Sequence, residues 1–202
     1  MQTDYSEKEI LVFKGLEKLM NDGVNMYTVK VQDIAAAAGI GKGTLYEYFE
    51  SKEQIIARAL LYFLDTSTRH AQSCVDAAGT FEQKWQILME LSAQSVKQHK
   101  TTFQIMMSGV DTQQIYRYTQ TYEPAMRAQT KRMEQLFSGV IKKGVTEGIL
   151  SPNHPNAYIE QATAAALTGF AQYICRNGQT INQNQIQQAK QYSYQMLVKM
   201  LA

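Results

Sequence analysis

The stretch Val31-Gln-Asp-Ile-Ala-Ala-Ala-Ala-Gly-Ile-Gly-Lys-Gly-Thr-Leu-Tyr-Glu-Tyr-Phe49, followed at once by Glu50-Ser51-Lys52-Glu53, decides the fold. Three glycines fall between Gly39 and Gly43. A glycine-rich turn next to a lysine invites comparison with a phosphate-cradling loop. Such a loop needs Gly-x-x-x-x-Gly-Lys-Ser/Thr after a strand. Here Lys42 is followed by Gly43, and Ala36 stands where the first glycine belongs. The preceding residues also read as a helix. Helix, tight turn, helix fits better. Ile34, Ala35 and Ala38 face inward on the first helix, and Gly39 permits the left-handed turn that ends it. Ile40 plugs the gap, while Leu45 and Phe49, four residues apart, anchor the second helix.

That arrangement leaves Lys42, Gly43, Thr44, Tyr46 and Tyr48 on the outward part of the second helix. In a helix-turn-helix, this face enters the major groove of DNA. Gly43 lets the backbone approach closely, and Thr44 can bond a phosphate. Tyr46 offers a ring for a thymine methyl and a hydroxyl for phosphate. Lys52, at the next helix start, adds positive charge beside the DNA backbone.

The elements Asp33-Ile34-Ala35, Ala38-Gly39-Ile40, Gly43-Thr44-Leu45-Tyr46, Tyr48-Phe49 and Ser51-Lys52-Glu53 resemble, in order and spacing, the DNA-binding domain of TetR-family transcriptional regulators. The resemblance extends upstream through Ile10 to Val29 and covers roughly residues 5–60. It implies base or groove contact by Gln32, Lys42, Gly43 and Tyr46, and phosphate contact near Val31, Thr44, Tyr48 and Lys52. Two departures stand out. Lys30 occupies the usual Ser/Thr capping position, and Val31 has no side-chain donor.

The whole chain has 202 residues, 45% hydrophobic and 19% charged, which predicts a globular, soluble protein with a sizeable core. Three prolines leave room for long helices. Ser6 is the expected N-cap of a first helix with Ile10, Phe13, Leu16, Glu17 and Met20 on one face, and Gly23 its stop. Ser51 is expected to cap a long fourth helix reaching about Ala77. Further helices are expected near 81–97, 101–108, 113–121, 123–147, 156–176 and 182–201. The fold expected is all-α: an N-terminal three-helix helix-turn-helix domain at 1–50 joined to a larger helical ligand-binding and dimerisation domain at 51–202.

Other chemistry is thin. His70, His99 and His154 have no metal-ligand spacing, no nucleophile elbow occurs, and no paired carboxylates suggest acid–base work. The reading is therefore no enzyme, no metal and no cofactor. Cys74 and Cys175 read as small buried hydrophobes in a reducing cytoplasm. No apolar run is long enough to span a membrane, and no secretory leader is visible. Residues 1–58 carry seven Lys/Arg against nine Asp/Glu, so the DNA-binding head is not basic and must rely on shape and dimerisation.

Trp85, Met89, Phe103, Met107, Tyr122 and Met126 form an aromatic and methionine-rich set read as the lining of a ligand pocket, with ordinary core packing as the alternative. Ala162, Ala166, Gly169 and Tyr173, with Tyr194, Leu197, Val198 and Leu201, are read as a homodimer face built from the last two helices. The resulting expectation is a cytoplasmic homodimer that binds a palindromic double-stranded DNA operator and is released by a largely apolar small molecule. The rival is a DNA-bound structural or interaction protein whose C-terminal domain binds a protein partner.

Overall fold

A computed structural model describes residues 5–26, 28–98 and 120–202. Among these residues all regular structure is helical: α1 (Glu7–Asn21), α2 (Val31–Ala37), α3 (Lys42–Tyr48), α4 (Lys52–Asp76), α5 (Phe81–Gln98), α6 (Glu123–Thr146), α7 (Asn156–Asn177) and α8 (Gln183–Leu201). Short 3-10 turns cover Gln120–Tyr122 and Gly178–Thr180. The expected helix near 101–108 lies outside the described residues, as does the one near 113–121 except for its last two residues, which fall in the first of these 3-10 turns. The chain divides into two compact units, one of residues 1–66 with 101–129, the other of 67–100 with 130–202.

In the first unit, α1 starts on a reciprocal capping box. Glu9 N donates to Ser6 Oγ at 3.3 Å, and Ser6 N donates to Glu9 Oε2 at 2.8 Å. This satisfies helix-end donors that would otherwise be bare. The helix buries Val12, Phe13, Leu16 and Met20 against Ile34, Ala35, Leu45, Phe49, Ile55 and Ile56. Glu17, expected on the core face, is half-exposed; Val12 and Gly15 take that side instead. The reason for Gly15 is steric. A Cβ there would lie 2.7 Å from the Ala38 backbone nitrogen, so α1 and the end of α2 touch through bare backbone.

Aromatic rings fill the space between α1 and α4. Phe13 packs edge-on to Tyr5 with centroids 5.2 Å apart, and lies 5.3 Å from Tyr62 and 5.9 Å from Phe49. Arg58 on α4 pairs with Glu9 at 2.5 Å and lies over the rings of both Tyr5 and Phe49.

In the second unit, α5, α7 and α8 pack around Phe81, Trp85, Met89, Ala162, Ala166, Phe170, Ile174, Ile186, Leu197 and Leu201, all buried. Its polar pins are specific. Trp85 Nε1 donates to Ser193 Oγ at 3.3 Å, and Ser193 donates to the Ala166 carbonyl at 3.2 Å. Lys190, buried on α8, pairs with Glu90 of α5 at 2.9 Å. The Glu147 carboxylate accepts from Phe81 N at the start of α5. Both cysteines are free thiols and half-exposed, not buried as expected. Cys74 lies one turn after His70, whose ring nitrogens are 3.8 and 3.9 Å from its sulfur.

Two outcomes follow for stability. Gly15→Ala should destabilise the protein by about 1–3 kcal/mol in denaturant unfolding, because its methyl meets backbone that cannot rotate away. Glu90 titrates below its ordinary value of 4.5, chiefly because Lys190 donates to it, with burial opposing. A depressed carboxylate contributes stability above its unfolded-state value, and that stability is lost as the pH falls through the folded-state value. Glu90→Gln should therefore flatten the loss of thermal stability below pH 4.5 while lowering stability at neutral pH.

Candidate functional site

The helix-turn-helix is made by local chemistry. Lys30 gives α2 no side-chain cap, as its type implies, so α2 starts on backbone alone. At the other end Gly39 adopts φ 69°, a left-handed conformation that costs a glycine little. The Ile40 amide donates back to the Ala35 carbonyl at 3.0 Å and closes the turn. Ile40 then packs against the core of the first unit.

α3 is only seven residues long, too short to persist by itself. Leu45 and Phe49, both buried, hold it down. The next connection is equally defined: Gln54 N donates to Ser51 Oγ at 3.1 Å, and Glu50 N donates to Gln54 Oε1 at 2.6 Å. Ser51 thus caps α4 as expected.

With Leu45 and Phe49 inward, the rest of α3 is presented outward. Tyr46 is 48% exposed and Tyr48 37%. Lys42 and Gly43 are exposed and Thr44 is half-buried. At about 100° per residue, Lys42, Gly43 and Tyr46 share one flank of the helix, and Thr44 and Tyr48 the other. Lys42 Nζ lies 5.9 Å from the Tyr46 ring centroid, so the cation and the ring present one combined surface. Nothing within 4 Å surrounds a Cβ built on Gly43, leaving that backbone open to a close partner. Gln32 is exposed on α2, and Lys52 is half-buried in the first turn of α4. Glu47 is also exposed, in the middle of the outward arc of α3. An acid there repels phosphate but can accept from cytosine.

The residues that position this face were only partly visible in the sequence. Ser6-x-x-Glu9 carries the capping-box pattern, but nothing marked Arg58 as the partner of Glu9.

The ligand set is divided. Trp85 and Met89 are fully buried in the second unit, with Met89 Sδ 3.3 Å from Ser193 Oγ. Tyr122 and Met126 are half-buried in the first unit. Phe103 and Met107 lie outside the described residues.

The dimerisation set also divides. Ala162, Ala166, Leu197 and Leu201 are buried within the subunit's own second unit, where α7 and α8 pack on each other and on α5. They are satisfied internally, because a small-residue stripe permits close approach within a chain as well as between chains. Tyr194 and Val198 are half-buried. Gly169 and Tyr173 are exposed, and Gly169 faces open space. Tyr158, Tyr192 and Met196 join them as large exposed side chains on the same two helices. Among the described residues no His, Cys, Asp or Glu cluster could hold a metal ion, and no helix is long and apolar enough to cross a membrane.

Comparison with known proteins bears on this head first. A profile of "Bacterial regulatory proteins, tetR family" matches residues 24–59. The chain is 27% identical over 123 residues to the HTH-type transcriptional repressor KstR2 of Mycobacterium tuberculosis, covering 61% of this chain. The match spans 60% of that relative's length. In fold, it is similar to the fatty acid degradation regulator FadR from Bacillus halodurans, with TM-score 0.71 at 15% identity over 96% of this chain and 99% of that one. It is similar also to FadR from Bacillus subtilis in complex with stearoyl-CoA, with TM-score 0.70 at 13% identity over 96% and 99%. The likeness in fold runs nearly end to end, and the helix-turn-helix built above, residues 24–59, is the part of the chain that matches the tetR family of bacterial regulatory proteins.

Proposed function

We propose that the chain is a cytoplasmic, homodimeric transcriptional repressor that leaves its operator when a small molecule binds. The carrying observation is the outward face of α3, where Lys42, Gly43 and Tyr46 form one flank above a rigid anchor of Leu45 and Phe49. Residues 1–50 are the DNA-binding head, and residues 51–202 bind effector and partner. Gln32, Lys42, Gly43 and Tyr46 read bases or the groove; Thr44, Tyr48 and Lys52 hold phosphates.

The subunits meet through the exposed sides of α7 and α8. Gly169 and Tyr173 are four apart on one helix, as are Tyr192 and Met196 on the other, so each pair lies on one face. Two such heads read the half-sites of a palindrome in successive major grooves.

The effector is largely apolar. This reading is supported by the aromatic and methionine-rich composition of the middle of the chain and by the similar Bacillus subtilis regulator, which was solved with stearoyl-CoA. An effector that binds the DNA-incompetent conformation 100-fold more tightly supplies about 2.7 kcal/mol of coupling. α4 starts at the Ser51 cap beside the head and continues as one helix of 25 residues, which suits it to carry the signal.

Operator DNA selected from a random pool by the full-length protein provides the test. Tyr46→Ala should lower affinity for the selected sequence by about 1–3 kcal/mol while leaving the thermal unfolding midpoint unchanged. Lys52→Ala should weaken binding to all sequences alike and reduce the salt slope by about 1. Selection that yields no enriched sequence overturns the reading.

The assembly has its own test. Gly169→Arg meets no neighbour within the subunit, so it should leave the fold intact while sedimentation shifts from dimer to monomer. A dimer that survives this change lies elsewhere.

A further inference from the structure

The repressor reading leaves open what holds the polar end of an effector. α4 carries a carboxylate, Asp65, and α6 carries an amide, Gln129, both in the first unit. Asp65 is 5% exposed and Gln129 7%. Gln129 Nε2 donates to Asp65 Oδ1 at 3.0 Å. An ionised carboxylate only accepts, so this bond decides which way the amide points: nitrogen toward Asp65, oxygen away. Gln129 Oε1 is then a buried acceptor without a hydrogen-bond partner.

Native interiors satisfy nearly all such atoms, and an exception marks a place where something else donates. Donation of Nε2 to an anion also strengthens the amide oxygen as an acceptor. The missing complement is an O–H or N–H. Apolar side chains flank the pair along both helices, and the Thr68 hydroxyl, three residues after Asp65, is a second buried polar group without a hydrogen-bond partner. Met126, three residues before Gln129 on the same side of α6, is half-buried, and Leu61, one turn before Asp65, is buried.

We propose that Gln129 Oε1 is the polar anchor of the effector site, accepting a hydrogen bond from a hydroxyl or amine on an otherwise apolar molecule. Asp65 is a positioning residue: it acts through Gln129 by fixing the amide's orientation. The proposal rests on the repressor reading for the word effector, but its test is separate from DNA.

Full-length protein without DNA is titrated with 1-decanol, decylamine and decyl methyl ether, all below the concentrations at which they self-associate, and binding is read by calorimetry and thermal shift. The first two donate a hydrogen bond; the ether only accepts. Wild type should bind at least one donor about tenfold or more tightly than the ether. Gln129→Met keeps the volume and removes the acceptor, and should erase that preference while leaving ether affinity within about twofold. Gln129→Asn keeps the amide but withdraws it by one carbon, and should reduce the preference in the same direction. Asp65→Asn should reduce it too, because the freed amide can then flip.

A wild-type protein without donor preference overturns the proposal, as does a preference that persists in both Gln129 variants. So does a drop in stability in Gln129→Met alone, with no donor preference in wild type, which identifies a structural water as the donor. If the preference tracks Gln129 while no operator is selected, the site stands and the repressor reading falls. If an operator is selected and the preference is absent, only the site falls.

Discussion

The pairing of Arg58 with Glu9 is the constraint on which the helix-turn-helix depends. Glu9 is buried, and a buried carboxylate stripped of its partner costs several kcal/mol. Its two oxygens are both engaged: one closes the capping box with Ser6, the other meets the Arg58 guanidinium. Arg58 in turn lies over Tyr5 and Phe49. One cation thus joins the start of α1, the residue that ends α3, and the first turns of α4. α3 has seven residues and little helical stability of its own. The direction in which Tyr46 and Lys42 point is therefore set by where Phe49 is held, and Phe49 is held partly by Arg58.

Much of this was legible in the sequence, for identifiable reasons. Ser6, Gly39 and Ser51 announced their caps and turn because each acts on backbone within four residues of itself. Leu45 and Phe49 were legible from their spacing. What stayed hidden was tertiary. Arg58 and Glu9 are forty-nine positions apart, and each alone reads as a surface charge. Gly15 reads as a weak point in a helix until Ala38 is seen against it. Asp65 and Gln129 are polar residues in helices with ordinary patterns, and only their mutual burial gives them meaning.

The second unit shows the same limit from the other side. A stripe of small and apolar residues predicts that a helix face is covered, but not by what. Ala162, Ala166, Leu197 and Leu201 are covered within the subunit, with Ser193 bridging Trp85 and the Ala166 carbonyl between them. These pins, with the Lys190–Glu90 pair, set how α5, α7 and α8 slide on one another. The surface left over is a different set of residues, one helical face away: Gly169, Tyr173, Tyr192 and Met196. The proposed homodimer uses these residues, the same patch from both copies in one isologous contact.

In the proposed repressor, the charge of the head gives that contact its weight. Seven cations face nine acids across residues 1–58, and Arg58 is already occupied by Glu9. Few cations are therefore left for phosphates, and each phosphate neutralised adds only about 0.9 to the salt slope. A single head of the proposed repressor, with this composition, binds DNA weakly. Two heads joined rigidly make the second docking intramolecular, at an effective concentration set by their separation. In the proposed repressor, affinity then depends on that separation far more than on any one side chain. A modest conformational preference of an effector suffices to release DNA, since it has only to break the match between two weak contacts and the spacing of their half-sites.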